Sequence, residues 1–426
     1  MNTTSIHPLF LKSSGISTDT RKIFKNCIFF ALKGENFNGN LFAQEALDKG
    51  AFKVIVDEKA FHKSTGETIF VENVLVTLQQ LARFHREFLG LPIISLTGSN
   101  GKTTSKELIN AVLSQKFKTV ATQGNLNNHI GVPVTLLAMN KETEIGIVEM
   151  GANHLGEIKM LSEIAEPDYG YITNFGKAHL EGFGSIEGVI QGKTELYKFL
   201  KKHKKKIFVN ANDSNQLANS EGIERISFGT SQSDFDIKLI DSSHHLLVAF
   251  NGTQIQSNLV GAYNFANISA AITIGAYFKV SQEKIKAGIE GYFPSNNRSQ
   301  LIVKGTNTIL MDAYNANPTS MLAALENFKQ AKGENKIMFL GDMFELGKEA
   351  EAEHQNIVNF LAENPFAKTF LVGSNFYKSK NKASNITQFE TFDELKKELE
   401  SHSPKNATIL IKASRGMALE RILDIL

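Results

Sequence analysis

The sequence is poor in cysteine, in net charge and in long apolar runs, and each shortage excludes a class of protein. Cys27 is the only cysteine among 426 residues, which excludes an internal disulfide and a cysteine-based metal centre and fits a reducing cytosol. No apolar run approaches the roughly 20 residues that a membrane-spanning helix needs. The 46 basic and 44 acidic side chains leave a net charge of +2, so nothing in the charge indicates nucleic-acid or membrane binding.

The sequence also begins without the features of an exported protein. Its first residues, MNTTSIHPLFLKSSG, contain no basic region followed by a long apolar core, so we expect no secretion signal. With 42% hydrophobic and 21% charged residues the composition is globular, and the length exceeds one ordinary core. We therefore expect a soluble cytoplasmic protein of two or three α/β domains, with neither nucleic acid nor membrane among its partners.

The pattern of apolar runs divides the chain into three predicted units. Residues 1–90 form a small α/β domain, whose end is marked by the helix-breaking sequence Gly90-Leu91-Pro92. Residues 91–293 alternate apolar strands with helices, which predicts a parallel sheet covered on both faces, and then contain a β-rich insert. Residues 294–426 predict a second doubly wound sheet. Helices are predicted over 76–89, 186–200, 264–278, 319–330, 353–362, 393–400 and 416–425.

The strongest chemical signal is the stretch Thr97-Gly-Ser-Asn-Gly-Lys-Thr-Thr104, between an apolar strand and a helical pattern. Its spacing is tighter than the usual phosphate loop G-x-x-x-x-G-K-[ST], because Leu96 stands where the first glycine belongs. Backbone amides from Gly98 to Lys102 at a helix N-terminus would hold phosphate oxygens. Lys102 would reach the β- and γ-phosphates, and the Thr103 hydroxyl would bind Mg²⁺. The alternative is a glycine-rich turn without a ligand, which has no need of the lysine and threonine.

A carboxylate and a lysine follow as candidate metal ligands. Glu149 ends an apolar strand, where a parallel sheet opens onto its ligand crevice, and its oxygens suit Mg²⁺; the residue alone leaves open a surface acid. Lys193 lies on the apolar stripe of a helix that Ser185 would cap. Burial would lower the pKa of that lysine toward the neutral amine, which can take up CO₂ to form a metal-binding carbamate. The stripe alone favours a lysine that snorkels past the apolar face. The stripe consists of Ile186, Val189, Ile190, Tyr197 and Leu200.

Taken together, these motifs resemble the ATP-dependent Mur ligases of peptidoglycan synthesis. The resemblance extends from Ser17-Thr-Asp-Thr-Arg21 to Lys412-Ala-Ser-Arg-Gly416, and the compact loop is the form typical of that family. It implies a UDP-sugar-binding N-terminal domain, a central P-loop ATPase-like domain and a C-terminal Rossmann-like domain. Within the family, the chain is most similar to members that join D-alanyl-D-alanine to UDP-N-acetylmuramoyl-tripeptide. The signatures are Gly124-Asn-Leu-Asn-Asn-His-Ile-Gly-Val-Pro133, Glu149-Met-Gly-Ala-Asn-His-Leu-Gly-Glu157, Asp312-Ala-Tyr-Asn-Ala-Asn-Pro318 and Leu340-Gly-Asp-Met-Phe-Glu-Leu-Gly347.

The resemblance also implies a role for each matching residue. Lys102, Glu149, His179 and Lys193 would be catalytic: Thr103 and Glu149 would bind one Mg²⁺, and His179 with carbamoylated Lys193 a second. The apolar stripe alone favours a snorkelling Lys193, but this implied role favours the carbamoylated metal ligand instead. The other nucleotide contacts would be Gly98, Ser99, Asn100, Gly101 and Thr104 of the loop, Asn264 and Asn267 at the adenine, and Arg298 and Asp312 at the phosphates and ribose. The substrate contacts would be Asp19 and Arg21 at the uridine nucleotide, with Asn127, Asn128, Tyr314, Asn315, Asn317 and Arg415.

Three segments depart from the family pattern. Asn26-Cys27 stands where a glycine is common, Asn38-Gly-Asn40 where Asp-Gly-His is common, and Ala313 where a polar residue is frequent. The first two leave individual uridine contacts open but not the reaction. The implied ligands are ATP, Mg²⁺, UDP-N-acetylmuramoyl-tripeptide and D-alanyl-D-alanine, and we expect a monomer.

Other functions remain to be weighed. A sibling ligase that adds the third amino acid would usually carry a D-N-P-R motif, which does not occur in the chain. A folate polyglutamate ligase would not need the segment from Asp312 to Pro318. A regulatory nucleotide-binding module would be favoured if the four catalytic candidates were replaced, and all are present. Leu96 and the absence of an N-K-x-D motif argue against an ordinary P-loop kinase or GTPase.

Overall fold

Three separate β-sheets organise the molecule. The computed structural model describes residues 3–295, 297–333 and 335–426, and these contain sheets of four, nine and six strands together with a two-stranded hairpin. The sheets follow one another along the chain with helices packed on them. The predicted α/β class with three units is therefore confirmed, whereas the predicted limits at residues 90 and 293 stay predictions.

The first unit has a small parallel sheet of order β1-β2-β5-β6. Its hairpin, β3–β4, leads into a short helix that covers the sheet. The last helix of the unit starts at an Asn73 cap, whose side chain accepts from Val76 N, and ends at Gly90, whose φ of 62° is left-handed. The elements are α1 (Thr3–Lys12), β1 (Ile16–Ser17), β2 (Ile28–Phe30), β3 (Lys33–Gly34), β4 (Phe37–Asn38), α2 (Ala43–Asp48), β5 (Lys53–Val56), β6 (Thr68–Phe70) and α3 (Val74–Leu89).

The central sheet is larger than the sequence predicts, because the β-rich insert extends it. Its order is β15-β14-β13-β12-β11-β10-β7-β9-β8. The strands from β8 to β13 pair in parallel, and β13, β14 and β15 pair antiparallel. The elements are β7 (Ile93–Thr97), α4 (Lys102–Leu113), β8 (Thr119–Ala121), α5 (Gly131–Leu137), β9 (Ile145–Glu149), α6 (Glu157–Ala165), β10 (Tyr169–Ile172), α7 (Leu180–Phe183), α8 (Ile186–Lys193), α9 (Glu195–Lys202), β11 (Lys206–Asn210), α10 (Ser214–Asn219), β12 (Glu224–Gly229), β13 (Phe235–Asp241), β14 (His245–Phe250), β15 (Thr253–Val260), α11 (Phe265–Tyr277) and α12 (Gln282–Glu290).

The third unit is a six-stranded sheet of order β16-β17-β21-β18-β19-β20. Only its edge strand β16 runs antiparallel to its neighbour, and the remaining pairs are parallel. This is the predicted doubly wound domain with one added edge strand. The elements are β16 (Gln300–Lys304), β17 (Asn307–Met311), α13 (Pro318–Gln330), β18 (Lys336–Gly341), α14 (Ala350–Glu363), β19 (Lys368–Val372), α15 (Ser374–Lys378), β20 (Ile386–Phe389), α16 (Phe392–Ser401) and β21 (Thr408–Lys412).

Two predicted helices differ in the structure. The helix predicted over 416–425 is wrong: the segment forms two 3₁₀ turns, Arg415–Met417 and Leu419–Asp424, because Ala418 between them has a left-handed φ of 46°. Leu419 and Ile422 are still buried, and their three-residue spacing suits a 3₁₀ turn as well as a helix. The helix predicted over 186–200 is interrupted at Thr194 into α8 and α9.

Helix α3 belongs to the first unit by sequence but packs against α5 and α6 of the central unit. Arg86, which is buried, donates to the carbonyls of Ala165 and Glu166, and its Nη2 lies 2.7 Å from Asp168 Oδ2. On the other face, His7 of α1 and His85 of α3 share a buried hydrogen bond of 3.0 Å. In the part of the chain that the structure describes, no helix is long and apolar enough to cross a membrane.

The Arg86 contacts predict an asymmetry between two arginines of α3. Arg86→Met should lower the free energy of unfolding by about 2–3 kcal/mol, because it leaves buried carbonyls without their charged donor and removes one of the two cations, Arg86 and Lys205, that pair with Asp168. Arg83→Met is the matched control, since Arg83 is 52% exposed and pairs with Glu87 and Glu166; its cost should stay within about 1 kcal/mol. Urea unfolding of both variants measures the difference, and equal costs would contradict this role of Arg86.

Candidate active site

A single large cavity collects most of the predicted site residues. It has a volume of about 830 Å³ and lies where the carboxyl ends of β7, β9 and β10 face the third unit. Of the sequence-predicted residues it is lined by Ser99, Asn100, Gly101, Lys102, Thr103, Thr104, Asn127, Asn128, Glu149, His179, Asn264, Asn267, Arg298, Asp312, Tyr314, Asn315 and Arg415. The other five, Gly98, Asn317, Lys193, Asp19 and Arg21, are not among its lining residues.

The glycines of the loop allow two close backbone approaches. Gly98 has a φ of 144°, and a Cβ added there would lie 1.9 Å from Thr173 Oγ1. Gly101 has a φ of 78° and would meet Asn267 Oδ1 at 2.6 Å. Helix α4 begins directly after Gly101, so its first amides open onto the cavity as an anion site requires.

Lys102 folds back over its own loop. Its Nζ donates to Gly98 O at 2.7 Å and to Ser99 O at 3.1 Å. Burial lowers the pKa of Lys102 to about 8, although the carboxylate of Glu149 opposes that shift. A phosphate group placed among the loop amides would give this ammonium a stronger partner than the two carbonyls.

Glu149 has one free oxygen in a buried position. The carboxylate is 1% exposed, and its Oε1 accepts from Thr103 Oγ1 at 3.2 Å and Asn127 Nδ2 at 2.8 Å. Its Oε2 is buried and has no hydrogen-bond partner among the described residues. An unpaired carboxylate oxygen beside a hydroxyl in a polar cavity fits a hard divalent cation that keeps several water ligands. Within the described residues, no cluster of three or more His, Cys, Asp or Glu side chains forms a ready-made metal cage.

Lys106, which the sequence analysis did not single out, is linked to the backbone of Glu149 through Thr122. Its side chain is fully buried on α4, and its Nζ lies 2.6 Å from both Thr122 O and Glu107 Oε1. The Thr122 hydroxyl in turn accepts from Glu149 N at 2.9 Å. The sequence contained one indication that Lys106 lies near the site: it follows Lys102 by one helical turn.

Lys193 is fully buried, as its place on the apolar stripe predicts. Its Nζ donates to Ala152 O at 3.1 Å and lies 5.1 Å from the centre of the Phe183 ring. Burial, followed by the positive charge of Lys102, holds the pKa of Lys193 well below its ordinary value. Burial therefore favours the neutral form of the amine, which carbamate formation requires.

His179 meets a residue that the sequence analysis did not assign. Its Nδ1 lies 2.6 Å from Oε2 of Glu345, which reaches it from the third unit. The approach is close, but its direction is not that of a hydrogen bond, and Nδ1 has no hydrogen-bond partner within the described part of the chain. Glu345 lies inside the signature Leu340–Gly347, so the motif was visible although the role of this residue was not.

The residues predicted to face the adenine form a chain of side-chain hydrogen bonds. Ser105 Oγ donates to Asn267 Oδ1 at 2.9 Å, and Asn267 Nδ2 donates to Asn264 Oδ1 at 2.8 Å. Asn264 Nδ2 then lies 3.4 Å from Ser299 Oγ of the third unit. The chain joins the helix after the phosphate loop to the third unit across the cavity wall.

The third unit adds a cationic and aromatic wall. The guanidinium of Arg298 lies 3.5 Å from the centre of the Tyr314 ring, and that of Arg415 lies 5.8 Å from it. Asp312 is held by Ser299 N at 3.1 Å and by Lys412 Nζ at 2.6 Å. Two arginines on one ring suit anionic ligand groups.

Asp19 and Arg21 lie in the first unit, outside the cavity lining. Arg21 binds the Asp19 carboxylate through both Nε and Nη2, at 2.9 and 2.8 Å. These hydrogen bonds lower the pKa of Asp19 to about 2. The Arg21 side chain is 87% exposed and so is available to a ligand that extends toward the first unit.

Two regions of the chain match known family domains. Residues 96–275 match the Mur ligase middle domain, and residues 297–415 match the Mur ligase, glutamate ligase domain. The UDP-N-acetylmuramoyl-tripeptide–D-alanyl-D-alanine ligases of Bacillus subtilis and Escherichia coli are 35% and 32% identical to the chain. Each alignment covers 96% of this chain and 92% of the relative.

Solved structures agree with these sequence matches. A crystal structure of MurF from Acinetobacter baumannii has a TM-score of 0.86 at 32% identity and covers 96% of this chain and 92% of that one. MurF ligase from Thermotoga maritima, solved in complex with ADP, has a TM-score of 0.85 at 25% identity, covering 98% and 97%. The similarity therefore includes the first unit, which the two domain matches leave out.

The close approach at Gly98 predicts a specific loss of nucleotide binding. Gly98→Ala should weaken MgATP binding by about tenfold or more, because the new methyl group displaces Thr173 and the loop with it. Gly66→Ala is the matched control: Gly66 also has a left-handed φ, of 82°, but nothing within 4 Å of a new Cβ. Calorimetric titration with MgATP compares the two, and unchanged affinity in Gly98→Ala would contradict the loop assignment.

Proposed function

The chain belongs to the Mur ligase family, and on that premise we propose that it joins D-alanyl-D-alanine to UDP-N-acetylmuramoyl-tripeptide, with cleavage of ATP to ADP and phosphate. The product is UDP-N-acetylmuramoyl-pentapeptide, a precursor of cell-wall peptidoglycan. The observation that carries the proposal is one cavity that combines a phosphate loop, a buried carboxylate with a free oxygen and a cationic wall from the third unit. The full-length similarity to relatives named for this reaction supports it.

The chemistry requires activation of a carboxylate. A carboxylate does not condense with an amine at neutral pH, because oxide would have to leave. Transfer of the γ-phosphoryl group of ATP to the terminal carboxylate of the tripeptide gives an acyl phosphate and ADP. The free amine of the dipeptide then attacks the acyl carbon, the amide bond forms, and phosphate leaves. The protein mainly positions the reactants and neutralises charge.

Lys102 and the loop amides would hold the transferred phosphoryl group. The ammonium of Lys102 would exchange its two loop carbonyls for phosphate oxygens, and the amides at the start of α4 would face the same oxygens. Thr103 and the free oxygen of Glu149 would hold Mg²⁺, which when bound neutralises phosphate charge. Asn127 orients that carboxylate through its 2.8 Å hydrogen bond.

Lys193 and His179 would contribute to a second Mg²⁺ site. Lys193 supports carbamate formation by its burial, its lowered pKa and a single carbonyl partner. Carbamoylation adds CO₂ to the neutral amine with release of a proton, which makes this position an oxygen-donor anion. Glu149 and carbamoylated Lys193 would then flank the phosphate loop with two anionic groups that favour cations.

The remaining predicted residues would contact the nucleotide and the substrates. Asn264 and Asn267 would face the adenine, and Arg298 and Asp312 would reach the phosphates and ribose. Asp19 and Arg21 would bind the uridine nucleotide from the first unit. Asn127, Asn128, Tyr314, Asn315, Asn317 and Arg415 would contact the peptide substrates, with Arg298 and Arg415 beside the ring of Tyr314.

Docking of the third unit would complete the site and exclude water. Asn317, at the N-terminus of α13, donates from Nδ2 to Asn100 Oδ1 of the phosphate loop at 2.7 Å. An enzyme held open at this contact should bind ATP yet form no amide bond.

The decisive assay measures phosphate release with ATP, Mg²⁺ and UDP-N-acetylmuramoyl-tripeptide, with and without D-alanyl-D-alanine. Release should depend on the dipeptide, and mass spectrometry should find the pentapeptide product. Glu149→Gln should lower turnover on the order of 100-fold, whereas Glu163→Gln, an exposed residue of α6, should not. Release with a single amino acid instead of the dipeptide would indicate a sibling ligase. ATP binding without turnover on any acceptor would indicate a regulatory module.

The carbamate on Lys193 has its own test. Protein equilibrated with ¹³C-labelled CO₂ should show one protected carbamate signal by NMR, because the neutral amine lies in a buried position. Lys193→Arg should lose that signal, and activity should fall on the order of 100-fold. Lys198→Arg, an exposed lysine of α9, should keep both. A signal that persists in Lys193→Arg would place the carbamate elsewhere.

A further inference from the structure

The segment that carries His179 is held from the third unit at several points. Lys177 N donates to Thr319 Oγ1 of α13 at 2.9 Å, and Lys177 Nζ lies 2.6 Å from Glu353 Oε1 of α14. Glu181 N donates to the backbone oxygen of Glu345 at 3.1 Å. Contacts from the third unit therefore support the segment on both sides of His179.

His179 and Glu345 are both held in an unfavourable backbone conformation. His179 has a φ of 54° and Glu345 a φ of 62°, and neither is a glycine. Left-handed conformations are unfavourable for non-glycine residues and persist where surrounding contacts determine them. Two such residues face each other across the interface, with the imidazole and the carboxylate 2.6 Å apart. Because both His179 and Glu345 are strained, we expect their contact to do more than fill space at the interface.

The contact also selects between the two nitrogens of the ring. Nδ1 faces the carboxylate of Glu345, and it is buried with no hydrogen-bond partner in the present orientation. A small rotation of either side chain would align Nδ1–H with the carboxylate oxygen. A carboxylate at Nδ1 fixes the proton there and leaves the lone pair of Nε2 for the cavity that His179 lines.

We propose that Glu345 is a positioning residue, which orients His179 and fixes its tautomer when the third unit docks. The active-site histidine is then completed by a side chain from another domain, so the site is assembled only in the docked enzyme. The importance of this contact for catalysis rests on the proposed ligase function, whereas the contact itself can be tested in the free protein.

The first test observes the ring directly. In ¹⁵N-histidine-labelled protein, long-range ¹H–¹⁵N spectra should show His179, assigned by its loss in His179→Gln, with its proton on Nδ1. Glu345→Ala should move this residue toward a mixture of tautomers, and Glu345→Gln, which keeps an acceptor oxygen, should retain part of the wild-type pattern. Glu351→Gln is the matched control, because Glu351 is an exposed residue of the same unit. Identical His179 spectra in wild type and Glu345→Ala would overturn the proposal.

The second test separates positioning from substrate binding. Glu345→Ala should lower kcat by about 10- to 100-fold, while the KM for ATP and for the dipeptide should change by no more than about twofold. The kcat of Glu345→Gln should lie between those of Glu345→Ala and wild type. The kcat of Glu351→Gln should match that of wild type. A raised KM for the dipeptide with unchanged kcat would overturn the proposal, because it would make Glu345 a substrate-binding residue. If wild-type protein has no ligase activity, the proposed function fails, and the tautomer spectra alone still decide the contact.

Discussion

The hydrogen bonds between the phosphate loop and the segment after β10 fix the loop that the rest of the cavity surrounds. Asn100 O accepts from Thr173 Oγ1 at 2.6 Å, and Asn100 N donates to Asn174 Oδ1 at 3.0 Å. Ser99 Oγ both donates to Gly176 O and accepts from Gly176 N, each at 2.9 Å. These hydrogen bonds need the two backbones in direct contact, which is why Gly98 cannot carry a side chain. The loop and residues 173–176 are therefore tied into one body, from which the chain continues to His179.

The same body is the surface on which the third unit docks. One connection runs through side-chain amides, from Asn317 to Asn100. Another runs from Ser105 through Asn267 and Asn264 to Ser299. Both connections consist of neutral hydrogen bonds of modest strength, beside one ion pair between Lys177 and Glu353 whose lysine is half exposed. Contacts of this kind suit an interface that must open to admit substrates and close to exclude water.

The placement of the phosphate-loop residues in the cavity could be predicted from the sequence, because it depends on local structure. A strand, a glycine-rich turn and a helix are adjacent in the chain, so the position of Lys102 and Thr103 follows from the order of the residues. The burial of Lys193 was likewise visible in the three- and four-residue spacing of its stripe.

The predictions that were missing or wrong depend on information that a single sequence segment does not contain. The pairing of the insert with the central sheet depends on β12 meeting β13 across a loop, and apolar alternation does not say which edge a strand joins. The contact of Glu345 with His179 joins positions in different units, so the motif could identify the residue but not its partner. Local backbone strain at Ala418 stops a helix whose side-chain spacing was correct.

The two buried lysines near the cavity show that burial alone does not determine the surroundings of a lysine. Lys106 and Lys193 are equally inaccessible. Lys106 has a carboxylate and a carbonyl, both at 2.6 Å from its Nζ, and these two partners fix the side chain in place. Lys193 has one carbonyl at 3.1 Å and an aromatic ring. Because burial opposes the ammonium more than these contacts support it, the pKa of Lys193 is lowered and the neutral amine is favoured there. Adding a carboxylate beside Lys193 would therefore raise its pKa without exposing it.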